Sequence, residues 1–200
     1  MKKFLGLVLV ALSALFLVNS AVAIEKPEVT DHEKINVYIF RGSGCSHCYD
    51  ALNFLYGLDG EYNDYFKVVT YEVWNDSNNA ALAKDVANKL GAEFGGVPFI
   101  VIGDKSFGGF GEDTGVNIIN TALDFYKSKD YKDVVASVLK SKDYKATSET
   151  LEAAAYSEGI TEVVPPEIKE EKKNDTWVIV AVFAVIIGGF GALIFSSRKK

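Results

Sequence analysis

The chain has 200 residues, 48% of them hydrophobic, and a formal net charge of −6. Seventeen apolar residues lie in 1–23 and sixteen in 177–200, which leaves an ordinary one-core composition between and excludes a polytopic membrane protein and wholesale disorder. Residues 24–176 hold all 27 acidic residues against 16 basic ones, a formal −11 that excludes nucleic-acid binding through phosphates and repels anionic lipid headgroups.

In chain order, Lys2 and Lys3 come first, Phe4 to Val18 is an uncharged and mostly apolar run, and Ala21-Val22-Ala23 offers small residues for cleavage. Residues 1–23 are therefore expected to be a secretory signal peptide. The rival is an uncleaved anchor, for which the run is short. The folded domain is expected over 24–156. The run 35–40 is continuous and β-rich, as a strand buried on both faces is. Arg41-Gly42-Ser43-Gly44 turns the chain into a short helix at 46–58, where Leu52, Leu55 and Leu58 recur at spacing three. A second strand is predicted at 66–74. Asn75 to Asn79 supplies caps for a helix carrying Leu82, Val86 and Leu90, with Gly91 as its stop. A third strand is predicted at 97–102, and Gly103-Asp104 turns it into an antiparallel partner at 105–107. Val116, Ile119, Leu123 and Tyr126 mark a further helix, and two more are predicted at 130–140 and 148–156. Strands alternating with helices predict an α/β domain with a parallel sheet, to which the closing hairpin adds an antiparallel edge.

Residues 157–176 contain Pro165-Pro166 and a charged run without apolar periodicity, and are expected to be a flexible stalk. Residues 177–195 are uncharged and, apart from three glycines, apolar. At 1.5 Å per residue they would reach about 28 Å, which predicts one transmembrane helix. Arg198-Lys199-Lys200 would keep the basic tail 196–200 cytoplasmic and leave the domain outside, on a single-pass anchor.

The chemistry lies in the chain's two cysteines, Cys45 and Cys48, which stand as Cys-Ser-His-Cys between a predicted strand and a helix start. A helix N-terminus aims N–H groups and a positive dipole end at Cys45. That favours the thiolate, the attacking species in disulfide exchange. Cys48, one turn on, can close onto Cys45 and expel a bound partner. His47 can add positive charge or a hydrogen bond to the thiolate. Three other uses compete. A structural disulfide across so short a loop constrains little entropy. Zinc needs four ligands, and only Cys45, Cys48, His47 and His32 are on offer, with His47 badly placed to converge. Copper delivery favours methionine, and Met1 is the sole one. No metal and no cofactor is expected.

On these residues the chain resembles the thioredoxin-fold thiol–disulfide oxidoreductases over about 33–127. Cys45-Ser46-His47-Cys48 is similar to that family's active-site motif, and Val97-Pro98 to its cis-proline segment. The resemblance implies a thioredoxin-like fold, a central mixed sheet with flanking helices, here extended by C-terminal helical additions. It also implies a redox-active disulfide Cys45–Cys48, substrate backbone held at Val97 and Pro98, and cysteine-containing proteins as substrates. A histidine just before the second cysteine is similar to the DsbA branch and implies an oxidant. Two departures stand out. The 50 residues from Cys48 to Pro98 leave no room for the DsbA helical insertion, and the place six residues before the first cysteine, often a buried carboxylate, holds Ile39. A second resemblance, to glutaredoxins, rests on Val97-Pro98, Gly103-Asp104-Lys105 and Gly108-Gly109, with Glu112 or Asp113 as the acid that follows; it implies glutathione held there. The expected function is an extracytoplasmic, membrane-tethered thiol–disulfide oxidoreductase, with a membrane redox partner admitted. The rivals are a membrane-fed reductase, a glutaredoxin-like protein and a redox-silent thioredoxin-like binding module.

Overall fold

A computed structural model describes residues 24–128, 130–166 and 168. In chain order they form β1 (Ile35–Arg41), α1 (Ser46–Tyr62), β2 (Phe66–Glu72), α2 (Ser77–Leu90), β3 (Phe99–Ile102), β4 (Lys105–Gly108), α3 (Glu112–Lys127), α4 (Val134–Ser141), β5 (Glu149–Thr150) and α5 (Leu151–Ser157). β1 is the centre. Its apolar residues alternate between two cores, as period-two side chains on a strand covered on both faces must. Ile35, Val37 and Ile39 pack with Leu52 and Leu55 of α1, Ile118 of α3 and Ala154 of α5. Tyr38 and Phe40 pack with Leu82 and Val86 of α2 and Val135 and Val138 of α4. The result is a three-layer sandwich of helices, sheet and helices.

The sheet order is β4-β3-β1-β2-β5. β1 and β2 run parallel in register from Ile35↔Phe66 to Arg41↔Glu72, so both strands end at one edge. β3 is antiparallel to β1, β4 to β3, and β5 to β2. The sheet is thus mixed, as the resemblance implied, and holds a single parallel pair where the alternation of strands and helices alone suggested more. The reason is where the chain re-enters: Phe99 pairs with Phe40 near the end of β1, and β3 then runs back to Ile102 opposite Val37. The predicted third strand is also shorter than expected, because Val97 and Pro98 belong to the entry loop.

Helix ends follow their caps. Asp76 accepts from the N–H groups of Asn78 and Asn79 at the start of α2, and Gly91 ends it at a left-handed φ of 65°. Asp133 delays α4 to Val134, accepting from the Ala136 N–H at 2.8 Å. Its other carboxylate oxygen takes Asn36 Nδ2 at 2.7 Å, the Tyr38 hydroxyl at 2.8 Å and the Tyr131 hydroxyl at 3.2 Å. Burial, then the Asp133 charge, push both tyrosine hydroxyls well above their ordinary pKa.

The last segment differs most from expectation. The helix predicted at 148–156 begins only at Leu151, because Glu149 and Thr150 pair with Thr70 and Val69 as β5. The compact unit runs from Ile24 to Ile168. Residues expected in the stalk pack on it: Ile160 is buried in the α1 core, and a Cβ on Gly57 of α1 would collide with Val164 and Pro166. The expectation of a transmembrane helix is corrected. Among the described residues no helix is long and apolar enough to cross a membrane, and the 177–195 run lies outside them. The signal segment 1–23 and the tail 196–200 also lie outside the described residues.

Asp133→Ala should lower unfolding free energy by about 2–4 kcal/mol, from a lost cap, the stranded buried Tyr38 hydroxyl and two half-buried donors, Asn36 and Tyr131. Urea unfolding of the two proteins measures it, and a loss under about 0.5 kcal/mol would mean water replaces the carboxylate. The tyrosines add a pH dependence. Their folded-state pKa is raised, so their contribution is intact below the ordinary tyrosine value of 10.0 and is lost as pH rises beyond it.

Candidate active site

The shared edge of β1 and β2 leads directly into the cysteines. After Arg41, Gly42-Ser43-Gly44 makes a tight turn in which the Cys45 N–H donates to the Gly42 carbonyl at 3.2 Å. Gly44 sits at φ 76°, a left-handed conformation that a side chain would strain. Cys45 is the N-cap of α1, with extended backbone, and its Sγ accepts from the Cys48 N–H at 3.2 Å. No acidic residue lies in the helix's first turn to offset the positive dipole end. Cys45 is 9% exposed and Cys48 0%. Their Cα atoms are 5.2 Å apart, and the sulfurs are close to disulfide distance.

The Val97–Pro98 bond is cis, and the Val97 carbonyl oxygen lies 3.8 Å from Cys45 Sγ. Pro98 is buried beside it and accepts from the Gly109 N–H at 2.8 Å. Cys45, Cys48, Val97 and Pro98 are therefore brought together from two segments far apart in sequence. His47 is placed differently. Its side chain is 69% exposed on the outside of α1, with Nδ1 4.0 Å from Asp50 Oδ2. His32 packs beside the Tyr126 ring, ahead of β1 and so at the opposite end of the strand from the cysteines. Ile39 is fully buried core. Gly103 turns the β3–β4 hairpin, and Gly109 brings the chain back to Pro98, both at positive φ. Asp113 is exposed in the first turn of α3.

Three further side chains, which the sequence did not single out, hold the turn. Glu72 ends β2 opposite Arg41. It accepts from the N–H groups of Ser43 at 3.2 Å, Trp74 at 3.0 Å and Asn75 at 2.8 Å. Burial raises its pKa, but those three N–H groups and nearby Arg41 together outweigh burial and hold the carboxyl below its usual value. Arg41 is only 1% exposed. Its Nη2 lies 2.5 Å from Glu149 Oε2 and its Nη1 2.6 Å from Glu158 Oε1. The second Glu158 oxygen accepts the Gly44 N–H at 3.0 Å. A carboxylate thus holds each of two successive N–H groups just before Cys45. The Trp74 indole covers Gly42, where any Cβ would meet the ring, yet the residue is 59% exposed. A charged residue closing an apolar strand was the one sequence signal for this cluster. Nothing pointed to its partners on β5 and α5.

No protein-family model, no curated protein and no solved structure matches the chain. What is present is a mixed α/β sheet with flanking helices and a cysteine pair close to disulfide distance at a helix N-terminus, an arrangement compatible with a thioredoxin-like fold and with redox activity.

The turn should open in acid. Glu72 has a depressed folded-state pKa, so its contribution is complete above the ordinary value of 4.5 and is lost as pH falls through the depressed one. In a Trp177→Phe chain, Trp74 fluorescence should change in that window before global unfolding. Glu72→Gln should abolish the transition. Emission that stays constant until the whole protein unfolds would show that Glu72 does not hold the turn.

Proposed function

We propose that the chain is a thiol–disulfide oxidoreductase acting on cysteine-containing proteins, with a thioredoxin-like fold as its scaffold. The observation that carries this is the asymmetry of the pair. Cys45 caps a helix and keeps a small exposed area, 9%; Cys48 lies one turn inside with none. Exchange needs that division, with one sulfur to meet the partner and one to resolve the bond. In the oxidising direction a substrate thiolate attacks Cys45 Sγ and the Cys45–Cys48 bond breaks. Cys48 leaves with the electron pair and takes up a proton. A second substrate thiolate then attacks the substrate sulfur of the mixed disulfide and releases Cys45 as a thiolate. Two electrons pass from two substrate thiols to the pair, and the substrate leaves as a disulfide. In the reducing direction Cys45 attacks the substrate disulfide and Cys48 resolves the mixed one. All electrons come from substrate, so the exchange calls for no cofactor. The Val97 carbonyl beside Cys45 offers an acceptor to the backbone of an extended substrate segment. The signal-like character of 1–23 supports a site of action outside the cytoplasm, where such disulfides persist.

The division of labour is testable by alkylation. In the reduced protein Cys45 should label first. Cys48→Ser should accumulate mixed disulfides with protein substrates, and Cys45→Ser should not. Faster labelling of Cys48 would reverse the assignment, and no turnover of any dithiol or disulfide substrate by the wild type would leave a redox-silent binding module.

His47 supplies the preference for oxidation. If its charge favours the Cys45 thiolate it favours the reduced protein, since only that form has a thiolate. His47→Pro should then lower the reduction potential and move Cys45 alkylation to higher pH. A tenfold change in the exchange equilibrium is about 30 mV, so even a modest contact is measurable. A folded variant with unchanged potential would take His47 out of the mechanism.

A further inference from the structure

We infer that Glu158 is a positioning residue for Cys45, and that with its partners it biases the cysteine pair toward the disulfide form. This rests on the thiol–disulfide exchange proposed above and adds a determinant of its direction.

Glu158 follows the last residue of α5, beyond the end of the domain expected from the sequence. It lies 114 residues from Gly44 along the chain, yet one oxygen accepts the Gly44 N–H at 3.0 Å. Gly44 is the residue before Cys45. From standard bond lengths, a carboxylate bound at that N–H lies within about 11 Å of Cys45 Sγ even at full extension. Its side chain is 7% exposed, so solvent screens it poorly at that range.

Charge and hydrogen bonding then act in one direction. Arg41 supplies a single positive charge beneath the turn. Facing it are Glu158 and Glu149 in contact and Glu72 nearby, three carboxylates to one guanidinium. The surplus is negative. The N–H groups of Ser43 and Gly44 already donate to Glu72 and Glu158, and so are committed to carboxylates rather than to an anion at Cys45. Negative charge opposes a thiolate. A thiolate exists only in the reduced protein, so the carboxylates disfavour reduction of the pair. This opposes the effect proposed for His47. Glu158 does not touch the reacting sulfurs; it acts through the Gly44 backbone and through its field.

The test is the equilibrium of the Cys45–Cys48 pair in glutathione redox buffers, measured on the full chain at neutral pH, together with the rate of Cys45 alkylation. Glu158→Gln keeps the shape and an accepting oxygen but removes the charge. It should shift the equilibrium at least threefold toward the dithiol, about 14 mV, and speed alkylation. A merely structural role would lower stability and leave both unchanged. A folded Glu158→Gln protein with the wild-type equilibrium and alkylation rate overturns the inference. Should that variant fail to fold, Glu149→Gln decides. Glu149 accepts from the same guanidinium at a more exposed position and takes no N–H group of the turn. Its loss should shift the equilibrium about twofold in the same direction, and no shift overturns the inference. Failure of the wild type to exchange with protein substrates would sink the oxidoreductase function instead, while the glutathione equilibrium would still report on Glu158.

Discussion

A guanidinium sealed inside a protein has to be met by carboxylates, because an uncompensated buried charge costs several kcal/mol. Arg41 imposes that requirement here. Strand periodicity puts it on the face of β1 that carries Ile35, Val37 and Ile39, so it points into the layer of α1, α3 and α5 rather than to solvent. Two carboxylates reach it, Glu149 from β5 and Glu158 from the end of α5. The C-terminal segment is therefore bound to the cysteine end of the sheet by charge as well as by the apolar contacts of Leu151, Ala154 and Ile160. Removing either carboxylate would leave Arg41 partly unpaired. Replacing all three groups with apolar ones could cost little. A charged cluster is not the cheapest way to fill that space, which turns attention to what its charges do to the cysteines beside it.

How much of this the sequence revealed depends on the range of the interaction. The β1 run, the Leu52-Leu55-Leu58 spacing and the Gly91 stop are local, and the elements stand close to where periodicity and caps put them. Cys45 at the start of a helix was equally legible, since the strand, turn and helix around it are contiguous. Sheet direction was legible only through the resemblance, which implied a mixed sheet. Alternating strands and helices suggest parallel pairing, but whether β3 runs up or down depends on which end of β1 the 91–98 loop reaches, and no local pattern encodes that. The C-terminal boundary was hidden for a related reason. Ser157 to Ile168 is polar and proline-rich, as a stalk would be, yet the buried Ile160, the paired Glu158 and the approach of Val164 and Pro166 to Gly57 seat it. Anchors so irregularly spaced leave no periodicity to detect.

The site residues divide in the same way. Val97 and Pro98 could be matched to Cys45 only through resemblance, and the 3.8 Å approach of the Val97 carbonyl gives that match a geometry. His47 was legible as a residue and not as a placement. As the second residue of α1 it turns outward toward Asp50, because the inward positions of that turn belong to Cys48 and Ala51. Glu72 and Glu158 carry no sequence mark at all. A glutamate is an ordinary surface residue until a backbone N–H and a guanidinium are brought to it.

In the exchange proposed above, redox direction would be a contest between fields of comparable reach. The unopposed N-terminus of α1 and any charge on His47 favour the Cys45 thiolate. The carboxylates on the preceding turn oppose it. The helix effect is worth about 0.3–1 kcal/mol at an exposed terminus and falls off within a turn. The His47 side chain stands mostly in water, which screens it. Glu158 is shielded and anchored at both oxygens, so less of its field is lost. In the exchange proposed above, the Cys-Ser-His-Cys motif by itself would not set the direction of electron flow. A motif that favours oxidation in a neutral surrounding would be held back by a turn whose own hydrogen bonds are made to anions.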